Sequence, residues 1–212
     1  MMDKPFIVGC DEVGYGALSG PLVVVGVRAP KDWKLEGLND SKKLSAKKRE
    51  ALLLPLMKAV KNGAISYHLA TRTNAEIDKV GVAVALKDAY VECFHALYQS
   101  DCLIISDGIL KFDNLGVDAY DKISVIKADT KYPTVMAASI IAKTSRDHDM
   151  HVLHNKYPMY GWDSNVGYSS KDHLAAIEKY GPCPLHRQSY APMKNMLVRI
   201  GEDPRQISLK DF

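Results

Sequence analysis

A short apolar run near the start of the chain leads directly into two acidic residues and a glycine loop. Residues 5–10 (Pro-Phe-Ile-Val-Gly-Cys) have the composition of a strand, Asp11 and Glu12 follow them, and residues 14–16 are Gly-Tyr-Gly. Side chains of a strand alternate between its two faces, and ligands of open α/β sheets bind beyond the carboxyl ends of the strands. The run therefore predicts a strand that delivers acidic groups to the edge of an α/β sheet.

Later apolar runs predict the rest of that sheet. Strands are predicted over residues 5–11, 19–28, 64–71, 102–106 and 123–126, and helices are predicted after Ser45, around residues 86–97 and from Thr134. The last two strand runs are short and apolar, which is typical of parallel strands covered on both faces. Asp107 directly follows one of them and Asp129 closely follows the other.

The acidic residues at these strand ends are expected to converge. Asp11, Glu12, Asp107 and Asp129 each lie at or just past a predicted strand end. Several carboxylates a few Å apart cannot all ionise unless cations accompany them. Mg²⁺ and Mn²⁺ prefer such hard oxygen ligands, and a pair of them suits phosphodiester hydrolysis, in which one activates water and the other stabilises the leaving oxygen. The sequence therefore predicts a metal-dependent phosphodiesterase.

The bulk composition limits the other possibilities. A chain of 212 residues with 47% apolar and 25% charged residues is long enough for one large domain. The net charge of +3 favours a polyanionic partner only weakly. The four scattered cysteines form no C-x-x-C motif and are expected to be buried thiols in a reducing compartment. No run approaches the roughly 20 apolar residues of a membrane helix, and no signal peptide is evident, so a cytoplasmic protein without membrane contact is predicted.

A series of motifs in this chain resembles ribonuclease HII. They occupy residues 11–16 (Asp-Glu-Val-Gly-Tyr-Gly), 18–21 (Leu-Ser-Gly-Pro), 39–44 (Asn-Asp-Ser-Lys-Lys-Leu), 106–108 (Ser-Asp-Gly), 127–133 (Lys-Ala-Asp-Thr-Lys-Tyr-Pro), 137–143 (Ala-Ala-Ser-Ile-Ile-Ala-Lys), 146–147 (Arg-Asp), 167–173 (Gly-Tyr-x-x-x-x-His) and 185–192 (Leu-His-Arg-x-x-Tyr-Ala-Pro). The resemblance runs from about residue 5 to residue 195.

The resemblance implies a fold, an activity and a metal site. The fold is an α/β RNase H-like mixed five-stranded sheet flanked by helices, in a single catalytic domain over residues 1–212. A small helical C-terminal region over about 155–200 and a tail over 201–212 complete it. The implied activity is hydrolysis of the RNA strand of RNA–DNA hybrids and incision 5′ of ribonucleotides embedded in duplex DNA, which leaves 3′-hydroxyl and 5′-phosphate ends. The implied catalytic and metal ligands are Asp11, Glu12, Asp107 and Asp129, with Mg²⁺ or Mn²⁺ as cofactor and Asp11 bridging both ions.

The resemblance and the chemistry of the substrate together indicate which residues bind it. Backbone amides of the glycine loop can contact the ribose 2′-hydroxyl, the group that distinguishes RNA from DNA. The tyrosine of the 167–173 motif matches the family tyrosine that stacks on the sugar, and several basic residues are candidates for phosphate contacts. The predicted substrate-binding residues are Gly14, Tyr15, Gly16, Lys42, Lys43, Lys143, Arg146, Tyr168 and Arg187.

One position departs from the family pattern. The family loop reads Gly-Arg-Gly, and this chain has Tyr15 in place of the arginine. Tyrosine cannot supply the planar, charged fork that an arginine presents to a phosphate. The sister family, ribonuclease HIII, also lacks arginine here, so the substitution is compatible with activity. The replacement of arginine by Tyr15 is expected to affect the preference for a single ribonucleotide.

The C-terminal tail resembles the short peptides that dock on DNA sliding clamps. Gln206, Leu209 and Phe212 have the matching spacing, with the aliphatic and aromatic side chains suited to an apolar pocket. The expected partners are therefore an RNA–DNA hybrid, ribonucleotide-containing duplex DNA and a sliding clamp, and the protein is expected to be a monomer. Two other functions stay open at this point. They are a structure-specific DNA nuclease of the same fold and a non-catalytic hybrid-binding module associated with a clamp.

Overall fold

The computed structural model describes residues 4–39, 43–111 and 116–199, with only the backbone described for 196–199. These residues form two compact units. The first unit comprises the described residues of Met1–Val13, Val23–Thr71 and Leu86–Ser145. The second comprises those of Gly14–Leu22, Arg72–Ala85 and Arg146–Phe212.

The first unit is built on a mixed five-stranded sheet. Its strands are β1 (Phe6–Val13), β2 (Leu22–Pro30), β3 (Ser66–Arg72), β4 (Cys102–Asp107) and β5 (Lys122–Val125), in the order β3-β2-β1-β4-β5. Strand β1 pairs with β2 in antiparallel fashion and with β4 in parallel, and β4 pairs with β5 in parallel. The predicted mixed five-stranded sheet is confirmed, and every predicted strand lies within a few residues of its observed bounds.

Seven α-helices occur in the described residues. They are α1 (Ala46–Lys61), α2 (Asn74–Val80), α3 (Val82–Leu97), α4 (Pro133–Lys156), α5 (Trp162–Asn165), α6 (Lys171–Tyr180) and α7 (Ala191–Arg199). Helix α1 begins where the sequence predicts, because the Ser45 hydroxyl accepts a hydrogen bond from the Lys48 amide at 3.3 Å and so satisfies one free N–H of the first turn. Short 3-10 helices lie at Ala128–Thr130 and Pro158–Tyr160.

Strand β1 is covered by a helix on each face. On one face Val8 and Cys10 pack in a cluster with Tyr90 and other residues of α3. On the other face Ile7 packs against Val135 of α4. A Cβ atom at Gly9 would lie 2.4–2.6 Å from atoms of Thr134 and Val135, so only glycine allows α4 to approach this closely. Side chains of the odd-numbered residues of β1 therefore face α4, and those of the even-numbered residues face α3.

The second unit has an aromatic core of its own. Trp162 is fully buried at the centre of a cluster with Met150, Tyr160, Ile177 and Met193. An isolated antiparallel bridge joins Ser19 to His186 in this unit. Hydrogen bonds on either side of that bridge, from the Arg187 amide to the Leu18 carbonyl at 2.8 Å and from the Gly20 amide to the Leu185 carbonyl at 3.0 Å, fix the segment that follows the glycine loop.

Two expectations from composition can be compared with the structure. Cys10, Cys93, Cys102 and Cys183 are buried and form no disulfide, as predicted. Among the described residues, none of the helices combines the length and the apolar character that crossing a membrane requires.

Candidate active site

Asp11 is buried near the carboxyl end of β1, on the face covered by α4. Its side chain is 5% exposed, and it accepts hydrogen bonds from the Ser139 hydroxyl of α4 and from the Glu12 amide, the latter at 2.9 Å. Burial, followed by the negative charges of Glu12 and Asp107, raises the pKa of Asp11 to about 7. Two other acidic groups therefore lie close enough to Asp11 to oppose its ionisation.

Glu12 is held by the helix on the opposite face. The hydroxyl of Tyr90, which is buried on α3, donates a hydrogen bond to Glu12 Oε2. Burial and the charges of Glu12 and Asp11 raise the pKa of Tyr90 well above its usual value, so the phenol keeps its proton and remains a donor. Adjacent acidic residues of one strand are thus oriented by hydroxyl groups on two different helices.

Asp107 and Asp129 lie beyond the two parallel strands next to β1. Asp107 ends β4, and its Oδ1 accepts a hydrogen bond from the Ala128 amide at 2.6 Å. Asp129 is 3% exposed and lies in the 3-10 helix that follows β5. Lys127, just before this helix, has a left-handed backbone with φ of 58°, which is uncommon for a residue other than glycine. The structure thus brings Asp11, Glu12 and Asp107 into electrostatic contact and places Asp129 beside the residue that binds Asp107.

These side chains do not yet form a metal-binding geometry. Within residues 4–39, 43–111 and 116–199, no three His, Cys, Asp or Glu side chains are grouped so that they could hold one metal ion. Part of the reason is visible in β1, because Asp11 and Glu12 contact helices on opposite faces of the sheet. The charges of Glu12 and Asp107 therefore act on Asp11, but within the described residues no three of these side chains point at one metal position.

The glycine loop that follows β1 belongs to the second unit and is tied there to Tyr168. The Gly14 amide donates a hydrogen bond to the Tyr168 hydroxyl at 3.1 Å. Gly14 has φ of 89°, and a Cβ atom would lie 2.3 Å from Arg146 Nε and 2.7 Å from the Pro21 carbonyl oxygen. Glycine is thus required at this position by the fold itself.

The next two loop residues face solvent. The Tyr15 side chain is 44% exposed, whereas its carbonyl oxygen accepts hydrogen bonds from Arg187 Nη1 at 2.9 Å and from the Tyr190 hydroxyl at 2.5 Å. Gly16 is exposed, and a Cβ atom there would meet nothing within 4 Å. The packing of the free protein therefore explains Gly14 but gives no reason for glycine at position 16.

The structure corrects the phosphate contact that was predicted for Arg146. It is fully buried, and its guanidinium donates hydrogen bonds to the carbonyl oxygens of Pro21 at 2.8 Å, Val166 at 2.8 Å and Ser19 at 3.0 Å. Its Cζ lies 5.4 Å from the centre of the Tyr168 ring. Burial lowers the pKa of Arg146 to about 10, so the side chain stays charged and acts as an internal cross-link. The prediction that it contacts phosphate is wrong.

Arg187 requires the same correction. It is fully buried, and its Nε and Nη2 donate to the Gly20 carbonyl at 3.2 and 3.1 Å. Its Nη1 donates to the carbonyl oxygen of Tyr15 and, at 2.8 Å, to the hydroxyl of Tyr190. With its donors occupied inside the protein, Arg187 fixes the glycine loop from within and does not face a phosphate.

Two of the predicted lysines lie within the described residues. Lys43 is exposed in the segment before α1, and Lys143 is half-buried on α4, one turn beyond Ser139. Lys42 and the tail residues Gln206, Leu209 and Phe212 lie outside the described residues. Their predicted roles are therefore not addressed by the structure.

Sequence reasoning missed two residues that hold the acids. Tyr90 belongs to the apolar stripe of α3, so its helical spacing predicts a core residue and does not reveal that its hydroxyl faces Glu12. Ser139 lies in a run of small and apolar residues with no evident catalytic partner in sequence. The only available signal was chemical, because a hydroxyl in an otherwise apolar stripe needs a hydrogen-bond partner when it is buried.

Solved structures share this fold. Ribonuclease H2 from Pyrococcus horikoshii OT3 has a TM-score of 0.75 and 26% identity over 93% of this chain and 100% of that one. The ribonuclease HII in the PCNA:RNase HII complex from Archaeoglobus fulgidus has a TM-score of 0.71 and 26% identity over 97% of this chain and 100% of that one. The sheet order and these neighbours define an α/β protein with an RNase H-like fold.

Sequence comparison identifies the family within this fold. The sequence model of the family Ribonuclease HII matches residues 8–193. A relative from Oceanobacillus iheyensis named Ribonuclease HII is 41% identical over 189 residues, which are 89% of this chain and 69% of that protein. This chain belongs to the ribonuclease HII family, and it is an endoribonuclease.

Proposed function

We propose that this protein hydrolyses the RNA strand of RNA–DNA hybrids and incises duplex DNA on the 5′ side of an embedded ribonucleotide. The products are a 3′-hydroxyl and a 5′-phosphate. Membership of the ribonuclease HII family supports this assignment. The observation that carries it is the buried Asp11 carboxyl, whose pKa is raised to about 7 by burial and by the charges of Glu12 and Asp107.

The donor set of this site suits divalent cations. Asp11, Glu12 and Asp107 offer hard carboxylate oxygens, and their mutual repulsion is relieved when a cation binds them. Asp129 completes the proposed ligand set from the adjacent 3-10 helix. Since no three of these side chains are grouped around one point, ligation by several of them requires that they turn from their present partners. When bound, Mg²⁺ or Mn²⁺ supplies an activated water and stabilises charge on the leaving oxygen.

The protein groups around the acids have a definite task in this proposal. Tyr90 and Ser139 donate hydroxyl hydrogen bonds to Glu12 and Asp11. The Ala128 amide donates to Asp107. Such outer hydrogen bonds limit the rotamers that each carboxylate adopts, so the direction of each ligand is restricted when a cation binds.

The glycine loop and Tyr168 are the proposed ribose-recognition elements of the second unit. Gly16 is open to solvent and is not required by packing, which fits a position where a sugar-phosphate backbone approaches the protein closely. Tyr168 is half-buried, with its hydroxyl bonded to the Gly14 amide, so its ring has a defined orientation for stacking on a sugar. Lys43 and Lys143 are the proposed phosphate contacts.

Mapping of cleavage sites tests this function. Duplexes that contain one ribonucleotide, four ribonucleotides or none should be incubated with the protein in Mg²⁺ or Mn²⁺. We expect a single cut 5′ of the lone ribonucleotide, ligatable 3′-hydroxyl ends and no cleavage of all-DNA duplex. The Asp11→Asn protein, purified identically, controls for contaminating nucleases. Cleavage of branched or mismatched all-DNA substrates at a comparable rate would instead identify a structure-specific DNA nuclease.

We also propose that the tail binds a sliding clamp. The solved complex of PCNA with ribonuclease HII from Archaeoglobus fulgidus supports this partner class, at 26% identity to this chain. Gln206, Leu209 and Phe212 would be the contacts. Deletion of residues 206–212 should abolish capture by the cognate clamp while cleavage of short duplexes continues. Capture that survives the deletion, or cleavage that is lost with it, would refute the proposed role of the tail.

A further inference from the structure

The backbone that presents Tyr168 is strained. Val166 has φ of 42° and Gly167 has φ of 85°, and a left-handed conformation is a genuine outlier for a β-branched residue such as valine. Several hydrogen bonds compensate. The Val166 carbonyl accepts from Arg146 at 2.8 Å, and the Gly167 amide donates to the Asn165 side chain at 2.8 Å. A conformation of this kind persists only where its surroundings hold it.

His173 provides the contact that holds Tyr168 itself. The carbonyl oxygen of Tyr168 lies 2.8 Å from His173 Nδ1, and the Ser170 amide also donates to that oxygen at 2.8 Å. A carbonyl can only accept, so the proton of neutral His173 is on Nδ1 and its Nε2 carries a lone pair. That lone pair accepts the Trp162 indole N–H at 3.1 Å. The imidazole therefore joins the Tyr168 backbone to the aromatic core.

The proton arrangement extends consistently to His186. His186 Nδ1 accepts a hydrogen bond from the Cys183 amide at 3.0 Å. The same nitrogen lies 3.3 Å from the Cys183 carbonyl oxygen. That oxygen already accepts a hydrogen bond from the His186 amide, so it does not need a proton on Nδ1. The proton of His186 is then on Nε2, which donates to His173 Nε2 at 3.2 Å. In this arrangement the single lone pair of His173 Nε2 is shared by two donors, the Trp162 indole N–H and the His186 Nε2–H.

Burial keeps this set neutral. His173 and His186 are fully buried, and desolvation lowers the pKa of both. Tyr160 stacks on Trp162 with ring centres 5.3 Å apart and meets His186 edge-on at 4.6 Å, so the aromatic side chains leave the imidazoles little room to rotate.

We propose that His173 is a positioning residue for Tyr168. Its Nδ1–H fixes the Tyr168 carbonyl, and this fixes the direction in which the Tyr168 ring leaves the backbone toward the ribose. The inference rests on the proposed function, in which Tyr168 stacks on the sugar. It adds that the correct pose of Tyr168 depends on a hydrogen bond from the interior of the second unit.

Two substitutions of similar polarity separate positioning from folding. In His173→Asn the amide nitrogen occupies the place of Nδ1 and still donates to the Tyr168 carbonyl, whereas in His173→Gln the amide lies at the place of Nε2 and cannot. We expect kcat/KM on a single-ribonucleotide duplex to fall by about 10–100-fold in His173→Gln, as for other small misplacements of a binding group. His173→Asn should restore it to within about fivefold of the unaltered protein, although both variants lose ring packing and unfold at lower temperature.

The Tyr168→Ala background provides the decisive control. If His173 acts through Tyr168, adding His173→Gln to Tyr168→Ala should lower kcat/KM no further. An equal fall in both backgrounds, or equal activity of the Asn and Gln variants, overturns the proposal. If Tyr168→Ala cleaves like the unaltered protein, the role proposed for Tyr168 fails together with that of His173. If Tyr168→Ala is impaired and His173→Gln is not, only the present inference fails.

A direct measurement of protons tests the hydrogen bonds without reference to activity. Long-range ¹H–¹⁵N NMR spectra of the full chain labelled at histidine distinguish the two neutral forms of each ring. We expect His173 protonated on Nδ1 and His186 protonated on Nε2 throughout pH 6–8. A proton on Nε2 of His173 would remove the bond to Tyr168 and contradict the proposal.

Discussion

The hydroxyl of Tyr90 on α3 donates a hydrogen bond to the carboxylate of Glu12 at the end of β1. This contact gives a buried aromatic residue of the core a direct effect on one of the proposed metal ligands. Tyr90 also packs against Phe94 with ring centres 5.8 Å apart, so its ring is held independently of the hydroxyl. The contribution of the ring can therefore be separated from that of the hydrogen bond.

Replacing Tyr90 with phenylalanine should weaken the metal site and leave the fold intact. Outer hydrogen bonds to metal ligands are typically worth 10–100-fold in affinity or activity, so we expect the metal concentration for half-maximal cleavage to rise by about 10-fold or more. The free energy of unfolding should change by only about 1 kcal/mol. Tyr67→Phe, at an exposed position on β3, serves as the matched control. Unchanged metal dependence in Tyr90→Phe would show that the contact has no functional role.

Asp11→Asn should remove activity and stabilise the metal-free protein. The pKa of Asp11 is raised to about 7 in the fold, so stability is lost as pH rises from about 4 to 7 and the buried carboxylate ionises. A neutral amide avoids this loss. At pH 8 the free energy of unfolding of Asp11→Asn, measured with urea in the presence of EDTA, should exceed that of the unaltered protein by on the order of 1–3 kcal/mol. The gain should vanish near pH 4. The exposed Asp88→Asn on α3 is the control. If Asp11→Asn is less stable than the unaltered protein at pH 8, ionisation of the Asp11 carboxyl does not destabilise the metal-free protein.

Much of this arrangement around β1 can be predicted from sequence, because it follows from strand alternation. Period 2 places Ile7, Gly9 and Asp11 on one face, and the structure has α4 against Ile7 and Gly9 and its Ser139 bonded to Asp11. The parallel pairing of β1 with β4 then brings Asp107 beside Asp11. Short apolar runs followed by acids were sufficient signals, since sheet geometry determines where the carboxyl ends of strands lie.

The two arginines could not be predicted in this way. A sequence gives the charge of Arg146 and Arg187 but does not show whether backbone carbonyls or solvent surround them. Arg146 lies in α4 and Arg187 lies outside the helices and strands, yet both guanidinium groups donate to backbone carbonyl oxygens of Ser19, Gly20 and Pro21. A guanidinium with five donors satisfies several of these at once, so here arginine serves the fold.

Tyr15→Arg should change substrate preference. The Tyr15 carbonyl is held by Arg187 and Tyr190, and its ring is exposed, so a new side chain can be accommodated without disturbing the loop. If a phosphate lies within reach, the added charge could contribute roughly 1.5–3 kcal/mol of binding. We expect a larger gain in kcat/KM on a single-ribonucleotide duplex than on a long hybrid, with Tyr15→Gln as the uncharged control. Equal effects on both substrates would show that position 15 does not set this preference.

His186 should make the protein sensitive to acid. Burial and the neighbouring His173 lower the pKa of His186 to about 3, whereas the unfolded chain takes up this proton near pH 6.5. Stability from this group is therefore complete above pH 6.5 and is lost as pH falls toward 3, by up to about 1.4 kcal/mol per pH unit. Asp11 titrates with the opposite sign, so the comparison must be made between the unaltered protein and His186→Gln. The difference in their unfolding free energies should shrink steadily from pH 7 to pH 5, and parallel profiles would contradict this assignment.

Binding of Mn²⁺ to the metal-free protein, followed by electron paramagnetic resonance, tests the central claim that the acids beyond β1, β4 and β5 hold the catalytic metal. We predict that Asp11→Asn, Asp107→Asn and Asp129→Asn each weaken Mn²⁺ binding, and that cleavage of a single-ribonucleotide duplex falls with it by a factor of 10² or more. Cleavage that persists in EDTA, or Mn²⁺ binding that is unchanged in all three variants, would contradict the claim.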